Sequence, residues 1–327
     1  MTALSAIGIF SFCFVLMTFS SFVLSNSLGK LKRRYNISGG ILGMLVALSA
    51  DAPEISSVIV ALFAKQKDVG IGIVVGSNIF NLAAILGLST LFAGRLQLKR
   101  SATIFNGAVS LIALLIMILL VFKFISPLLS VILFLLVLVP YVIISGLNAE
   151  KMKRWSFPLK IRNFITDATT EIENDKTPMP KSWSWVWIGG IALIAIVFSS
   201  MGIVSSAVFL SGEWNINKTI LGVIVLASLT GIPNMITAIK MALQGKDVVV
   251  MNEALNSNNL NIFFGACIPS LLFGVSTLSE QTVFSVWWLL GITIMNLLLL
   301  YFMNGFNRVS GILSIVLYLV FLFIMIR

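Results

Sequence analysis

Long hydrophobic runs recur from one end of the chain to the other, and they limit the possible folds more than any other feature. Each run has about the 20 apolar residues that a helix needs to cross the hydrocarbon core of a bilayer. Hydrophobic residues make up 58% of the chain and charged residues 10%, whereas a soluble domain carries about 25% charged residues. The sequence therefore predicts an all-α polytopic membrane protein.

The runs divide into ten membrane spans, and the distribution of basic residues supports this count. When ten spans alternate, 17 of the 22 lysines and arginines fall on one side of the membrane and 5 on the other. Basic loops stay in the cytoplasm, so we expect both termini outside and the long polar linker inside. The predicted spans are residues 4–25, 39–64, 70–93, 102–122, 125–147, 184–210, 217–243, 248–275, 282–303 and 308–326.

The second and seventh spans begin two copies of one pattern. The first copy reads "ILGMLVALSADAPEISSVIVALFAKQKDV" and then "VVGSNIFN"; the second reads "ILGVIVLASLTGIPNMITAIKMALQGKDV" and then "ALNSNNLN". Four polar or proline pairs share one offset of 180 residues: Pro53/Pro233, Ser77/Ser257, Asn78/Asn258 and Asn81/Asn261. The chain is therefore predicted to hold a five-helix repeat at 1–147, a cytoplasmic linker at 148–183 and a second five-helix repeat at 184–327.

Five is an odd number, so the second repeat would enter the membrane from the opposite side. Inverted repeats of this kind are typical of secondary transporters, whose substrate site lies near the bilayer midplane. Pro53 and Pro233 each remove one backbone donor and free a carbonyl of the preceding turn. We expect a discontinuous helix at both prolines.

Two carboxylates, Asp51 and Glu54, lie three residues apart on one helix face beside Pro53. Acids inside a span are costly and usually line a functional cavity. The nearby side chains offer only oxygen ligands, which suit calcium, sodium or magnesium rather than zinc or copper. Hydroxyls and amides also join helices by hydrogen bonds, so each of them alone has a structural interpretation. Residues predicted to hold a cation are Asp51, Glu54, Ser77, Asn78, Asn81, Thr230, Asn234, Ser257, Asn258 and Asn261.

A further acid, Glu253, lies in the eighth span four residues before Ser257. It either faces the cavity or reaches the membrane interface, and the sequence favours neither position.

The motifs "ALSADAPE" and "GSNIFN" resemble the alpha repeat of the calcium/cation antiporter superfamily, which includes the sodium/calcium exchangers. The resemblance implies that Glu54 binds calcium and sodium, and that Ser77 and Asn81 are also ligands. It assigns corresponding roles in the second copy to Thr230, Ser257 and Asn261.

The chain departs from that family's pattern, which has G-T-S where this chain has Ser49-Ala50-Asp51 and Leu229-Thr230-Gly231. Asp51 replaces a serine in the first copy, while Gly231 replaces a serine and Asn234 a glutamate in the second. The charge from these positions stays at about −2, enough to neutralise one divalent or two monovalent cations.

These features predict a cation antiporter that works by alternating access and exchanges a divalent cation, calcium first, for sodium. Proton coupling stays open and would require the carboxyl groups themselves to carry protons, because the chain has no histidine. A channel or a non-transporting sensor on the same fold is a further alternative. An enzyme is disfavoured, since no catalytic motif is present. We expect no cofactor and no nucleic-acid partner, and a multi-pass protein of the plasma membrane, in contact with lipid and possible as a monomer.

Overall fold

A computed structural model describes residues 2–35, 47–145, 158–159, 163–164, 184–275 and 278–327. Eight helices in these ranges are long and apolar enough to cross a membrane. Most of the predicted 148–183 linker lies outside the described residues, as does the start of the predicted second span. The protein is thus an all-helical, multi-pass membrane protein, as the hydrophobic runs predict.

The helices follow one another with short connections. In chain order they are α1 (Ala3–Tyr35), α2 (Ala52–Phe63), α3 (Lys67–Ala93), α4 (Arg100–Val121), α5 (Pro127–Ser145), α6 (Ser184–Glu213), α7 (Lys218–Leu243), α8 (Asp247–Ile262, continued by Phe263–Cys267 and Ile268–Phe273), α9 (Glu280–Phe302) and α10 (Arg308–Ile326). Strand β1 (Arg95–Gln97) pairs in antiparallel register with β2 (Gly305–Asn307).

Two of the ten predicted spans are absent from the eight apolar helices, for different reasons. Helix α2 is only 12 residues long where it is described. Helix α8 carries the sequence "MNEALNSNNLNI", whose amides lower its hydropathy although the whole stretch 253–262 is buried. Length and hydropathy therefore identify eight spans, and the ten-span count stays a prediction.

The expected helix breaks at the two prolines differ. Asp51 forms a bend between the helical residues 47–50 and α2, and Pro53 lies in the first turn of α2. Around Pro233, in contrast, α7 stays helical, so the expected break there was wrong. The irregular part of α7 is instead a π-helical stretch at Leu221–Leu226. A proline in a membrane helix can be accommodated by local adjustment of the turns around it.

Helices α3 and α7 touch through their backbones at glycines. A Cβ atom added at Gly76 would overlap the Val223 carbonyl, and one added at Gly222 would overlap the Val69 carbonyl. Small residues let membrane helices approach this closely. The crossing places Ser77, the residue after Gly76, at the centre of the helix bundle, where it is fully buried.

The start of each of the helices α3 and α8 forms a hydrogen bond at or just after the end of the other. The Lys67 ammonium at the start of α3 donates a 2.5 Å hydrogen bond to the Phe273 carbonyl at the end of α8. At the start of α8, an Asp247 carboxylate oxygen accepts a 2.8 Å hydrogen bond from the Gln97 amide, just after α3. Residues 67 and 247 are separated by the same offset of 180 as the repeated motifs.

We expect Gly76→Ala to lower the stability of the protein, because the added methyl group forces α3 away from α7. Overpacking of this kind costs about 1–3 kcal/mol. The measurement is the Tm of the detergent-purified protein. Gly190→Ala is the matched control, since a Cβ there meets nothing within 4 Å. An equal Tm in both variants would contradict the close crossing.

Candidate functional site

All ten predicted site residues are buried, with at most 5% of each exposed. They come from four places in the fold: the bend before α2 and its first turn, the middle of α3, the middle of α7 and the second half of α8. Hydrogen bonds between side chains link most of them across the two copies of the repeated motif.

The Glu54 carboxylate faces the second copy of the motif. The Asn261 amide donates to Glu54 Oε2 at 2.5 Å and to the Ser77 hydroxyl oxygen at 3.3 Å. Glu54 Oε1 is buried and accepts no hydrogen bond from any described residue. A Cβ added at Gly231 would lie 3.4 Å from Oε1 but 2.7 Å from the ring of Phe80. The glycine in place of the family's serine thus allows this ring to pack beside the carboxylate.

The Asp51 carboxylate repeats this arrangement. The Asn234 amide donates to Asp51 Oδ1 at 3.0 Å, and the Ser257 hydroxyl is a second polar neighbour of this carboxylate, although Asp51 Oδ2 is buried and forms no hydrogen bond of ordinary geometry with a described residue. Asp51 and Glu54 lie close enough to repel each other. Each carboxylate therefore uses one oxygen to accept from an asparagine of the second copy and keeps the other oxygen unused.

A second group of amides joins α3 to α8. The Asn81 side-chain amide donates to Asn258 Oδ1 at 3.0 Å. The Asn258 side-chain amide in turn donates to the backbone carbonyl of Asn78 at 3.1 Å. In the part of the chain that the structure describes, neither Asn78 nor Asn258 bonds to a carboxylate. Both line a small cavity together with Ser110 and Thr293. The bonds of Asn258 match the structural interpretation of amides as links between helices, whereas the Asn78 side chain forms no hydrogen bond with a described residue.

Thr230 is buried but is not linked by a hydrogen bond to the other nine residues among those described. Its hydroxyl donates to the Leu226 and Ala227 carbonyls of its own helix, at 2.9 and 3.3 Å. Its oxygen keeps lone pairs that can accept a cation.

Buried oxygen atoms without a hydrogen-bond partner are concentrated at this site. A buried acceptor without a partner is costly, and a bound cation would relieve that cost. Among the described residues, no lysine or arginine is buried, and no group of three histidine, cysteine or acidic residues is present. The unpaired site oxygens are Asp51 Oδ2, Glu54 Oε1, Asn78 Oδ1, Asn81 Oδ1, Asn234 Oδ1, Ser257 Oγ and Asn261 Oδ1.

The sequence left Glu253 open and did not reveal a network behind α8. Glu253 is buried, with 7% exposed, so it does not reach the membrane interface.

The Tyr141 hydroxyl of α5 lies 2.8 Å from Asn106 Oδ1 and 2.7 Å from Asn256 Oδ1. The available signal was weak: Asn106 is a single amide in the apolar helix α4, Asn256 is one of several asparagines in α8, and such amides are common as interhelical links.

A family model described as "Sodium/calcium exchanger protein" matches residues 5–147 and 184–327. Inner membrane protein YrbG of Escherichia coli is 25% identical over 285 residues, which cover 83% of this chain and 79% of that protein.

Two solved structures share the fold. The sodium-calcium exchanger NCX_Mj has 19% identity and a TM-score of 0.65, with 98% of each chain covered. The H+/Ca2+ exchanger CAX has 14% identity and a TM-score of 0.72, with 96% of this chain and 81% of that chain covered.

We expect calcium to raise the Tm of the detergent-purified protein, because a ligand that binds only the folded state stabilises it. At 100 times Kd the gain is about 2.7 kcal/mol. Asp51→Asn and Glu54→Gln should remove most of the shift. Glu213→Gln, which changes an exposed acid at the end of α6, should keep it. A shift that persists in Glu54→Gln would place the cation elsewhere.

Proposed function

The chain belongs to the sodium/calcium exchanger protein family, and from that premise we propose that it is a secondary antiporter that exchanges calcium, or another divalent cation, for sodium by alternating access. One observation carries the proposal. Asp51 and Glu54 are buried side by side, each with an oxygen that has no hydrogen-bond partner among the described residues. No buried basic side chain in the described ranges neutralises them. Cations from solution supply the missing charge.

In this proposal the site residues have two kinds of role. Asp51 and Glu54 supply a charge of about −2, which balances one divalent or two monovalent cations and makes calcium and sodium compete. Neutral oxygens complete the coordination, as hard cations prefer; they come from Ser77, Asn81, Thr230, Asn234, Ser257 and Asn261. Of the remaining two, Asn258 links α3 and α8 beside the site, and the unpaired Asn78 side-chain oxygen is one more neutral oxygen.

We further propose that the fold consists of ten spans in two inverted repeats, 1–147 and 184–327, joined by a linker at 148–183. The two ranges that match the family model lie on either side of this linker. The end contacts also support it. Lys67 and Asp247 lie in the matching "KDV" turns of the two copies, and each joins the start of one helix to the end of its counterpart, at opposite ends of α3 and α8. Such a pair suits a transporter that closes one face of the membrane at a time.

The proposed orientation follows from the basic residues, which place the linker in the cytoplasm and both termini outside. A location in the plasma membrane is part of the same proposal. The substrates are inorganic cations, no cofactor takes part, and the surrounding partner is lipid. A single chain contains all the site residues.

Proton coupling is the second candidate. Buried carboxylates can carry protons as well as metal ions, and Asp51 adds an acid where the family's first motif has a serine. Sodium is favoured because Asn81 and Ser77 match the family's sodium ligands. An imposed sodium gradient or pH gradient distinguishes the two candidates directly.

We expect proteoliposomes loaded with sodium to take up calcium when they are diluted into sodium-free buffer. Glu54→Gln should lower this uptake by more than about 100-fold, since loss of even an outer-shell metal partner costs about 10- to 100-fold. The measurement is the initial rate of 45Ca uptake, with Glu213→Gln as the matched control. Uptake driven only by a pH gradient would replace sodium with protons in the proposal.

The same vesicles test the channel alternative. An antiporter moves calcium only when a counter-ion is present on the opposite side, whereas a channel carries current without one. Calcium flux that is independent of both sodium and pH gradients would refute antiport. Full activity of Glu54→Gln would refute the site.

A further inference from the structure

Asn296 of helix α9 is a buried amide that bonds to the backbone of α3. Its side-chain nitrogen donates a 2.6 Å hydrogen bond to the Leu82 carbonyl, and its side-chain oxygen accepts a 2.9 Å hydrogen bond from the Ser314 hydroxyl of α10. Asn296 and Ser314 are both fully buried. One amide thus joins three helices, and two of them, α9 and α10, carry none of the predicted site residues.

The carbonyl that Asn296 holds lies in the π-helical stretch of α3, Asn81–Ile85. At the end of this stretch, the Leu86 N–H bonds to the Asn81 carbonyl five residues earlier, whereas an α-helix joins residues four apart. π-Helical turns are rare in proteins, so the surrounding structure must favour this one over a regular helix. A donor from a neighbouring helix on the Leu82 carbonyl is a contact of that kind.

The π-helical stretch begins at a residue of the candidate site. The Asn81 side-chain amide donates to Asn258 Oδ1 of α8, while Asn81 Oδ1 is buried without a described partner. Each residue of an α-helix turns by about 100°. A change of register by one residue within the stretch would therefore rotate one part of α3 against the other by that angle. The direction of the Asn81 side chain thus depends on the π-helical register.

The second copy of the repeated unit has no counterpart of this amide. Helices α4 and α9 begin 180 residues apart, at Arg100 and Glu280, and the position equivalent to Asn296 is Ile116. The isoleucine side chain has no hydrogen-bond donor. The amide is therefore not a general requirement of the repeated unit, and it acts only on the helix that carries Asn81.

We propose that Asn296 is a positioning residue: by holding the Leu82 carbonyl, it fixes the π-helical register of α3 and thereby the place of Asn81 at the cation site. Ser314 orients the amide, because its hydroxyl donates to the amide oxygen and leaves the nitrogen turned toward α3. This inference rests on the proposed function, in which Asn81 supplies a neutral oxygen. Neither Asn296 nor Ser314 supplies an oxygen to the cation.

Asn296→Leu tests the proposal, because it keeps a similar volume but removes the donor and the acceptor. The calcium concentration for half-maximal Tm stabilisation of the detergent-purified protein should rise by about tenfold or more, as for loss of an outer-shell metal partner. Ser314→Ala frees only the orientation of the amide, so the rise should be about threefold.

Ser285→Ala is the matched control. Ser285 is a buried hydroxyl of the same helix that contacts Met325 of α10, and it lies 11 residues from Asn296, about 16 Å along the helix axis. Its loss should change the calcium concentration for half-maximal stabilisation by less than about twofold.

Hydrogen exchange measures the register itself. In the absence of calcium, Asn296→Leu should speed the exchange of the backbone amides at 82–87 by about 2- to 10-fold relative to peptides of α4, the factor that one neutral hydrogen bond provides. The measurement is mass spectrometry of peptic peptides, and Ser285→Ala should leave the exchange at 82–87 unchanged.

Two results in Asn296→Leu would overturn the proposal. One is a lower Tm with an unchanged calcium concentration for half-maximal stabilisation, which would leave the amide a purely structural link. The other is unchanged exchange at 82–87. If Asn296→Leu does not fold, Ser314→Ala decides in the same two measurements.

Failure of the proposed function is a separate result. The wild-type protein would then show no calcium-dependent rise in Tm and no gradient-driven calcium uptake. The exchange measurement needs no cation, so it would still show whether Asn296 holds the register of α3.

Discussion

Asp51 and Glu54 are buried in a low-dielectric interior, and the rest of the site is arranged around the cost of keeping them there. Each carboxylate accepts one hydrogen bond from an asparagine of the second copy of the motif, Asn234 or Asn261. One amide does not balance an ionised acid that has been removed from water. The remaining oxygens are therefore available to the cation that we propose to bind there and to be released during exchange.

Two features of the fold place the site residues. Two helices are in backbone contact, and π-helical stretches interrupt helices next to the site. Glycines let α3 and α7 touch, so the hydroxyl of Ser77 reaches the centre. Single π-helical stretches interrupt α3 at Asn81–Ile85 and α8 at Phe263–Cys267, just where the site residues end. π-Helical turns are rare and are frequent at functional sites. Regular helices and π-helical turns thus together position the oxygen atoms within the apolar helix bundle.

The residues that meet at the site could be predicted because proline, serine and asparagine repeat at one spacing, which apolar sequence rarely imitates. The depth of a residue within a span could not, since hydrophobic runs have no sharp ends; Glu253 was therefore undecided until its burial was seen. The helix break expected at Pro233 is absent, because the neighbouring turns adjust to the backbone hydrogen bond that proline cannot donate. The count of apolar spans differed for two reasons: α2 is described over only 12 residues, and α8 is buried by protein, which tolerates amides that lipid would not. The partner of each amide is set by three-dimensional packing, so the sequence could not predict that Asn258 bonds to Asn81 and to the Asn78 backbone.

Asn234 stands where a strict duplication would have repeated Glu54, and Gly231 stands opposite Asp51. In an inverted-repeat transporter, swapping the conformations of the two halves turns one facing state into the other. In the inverted repeat that we propose, this swap would move the acids to the positions of an amide and a glycine, so the two states would be chemically unequal. Transport would then be asymmetric: half-saturating cation concentrations and maximal rates would differ between forward and reverse flux.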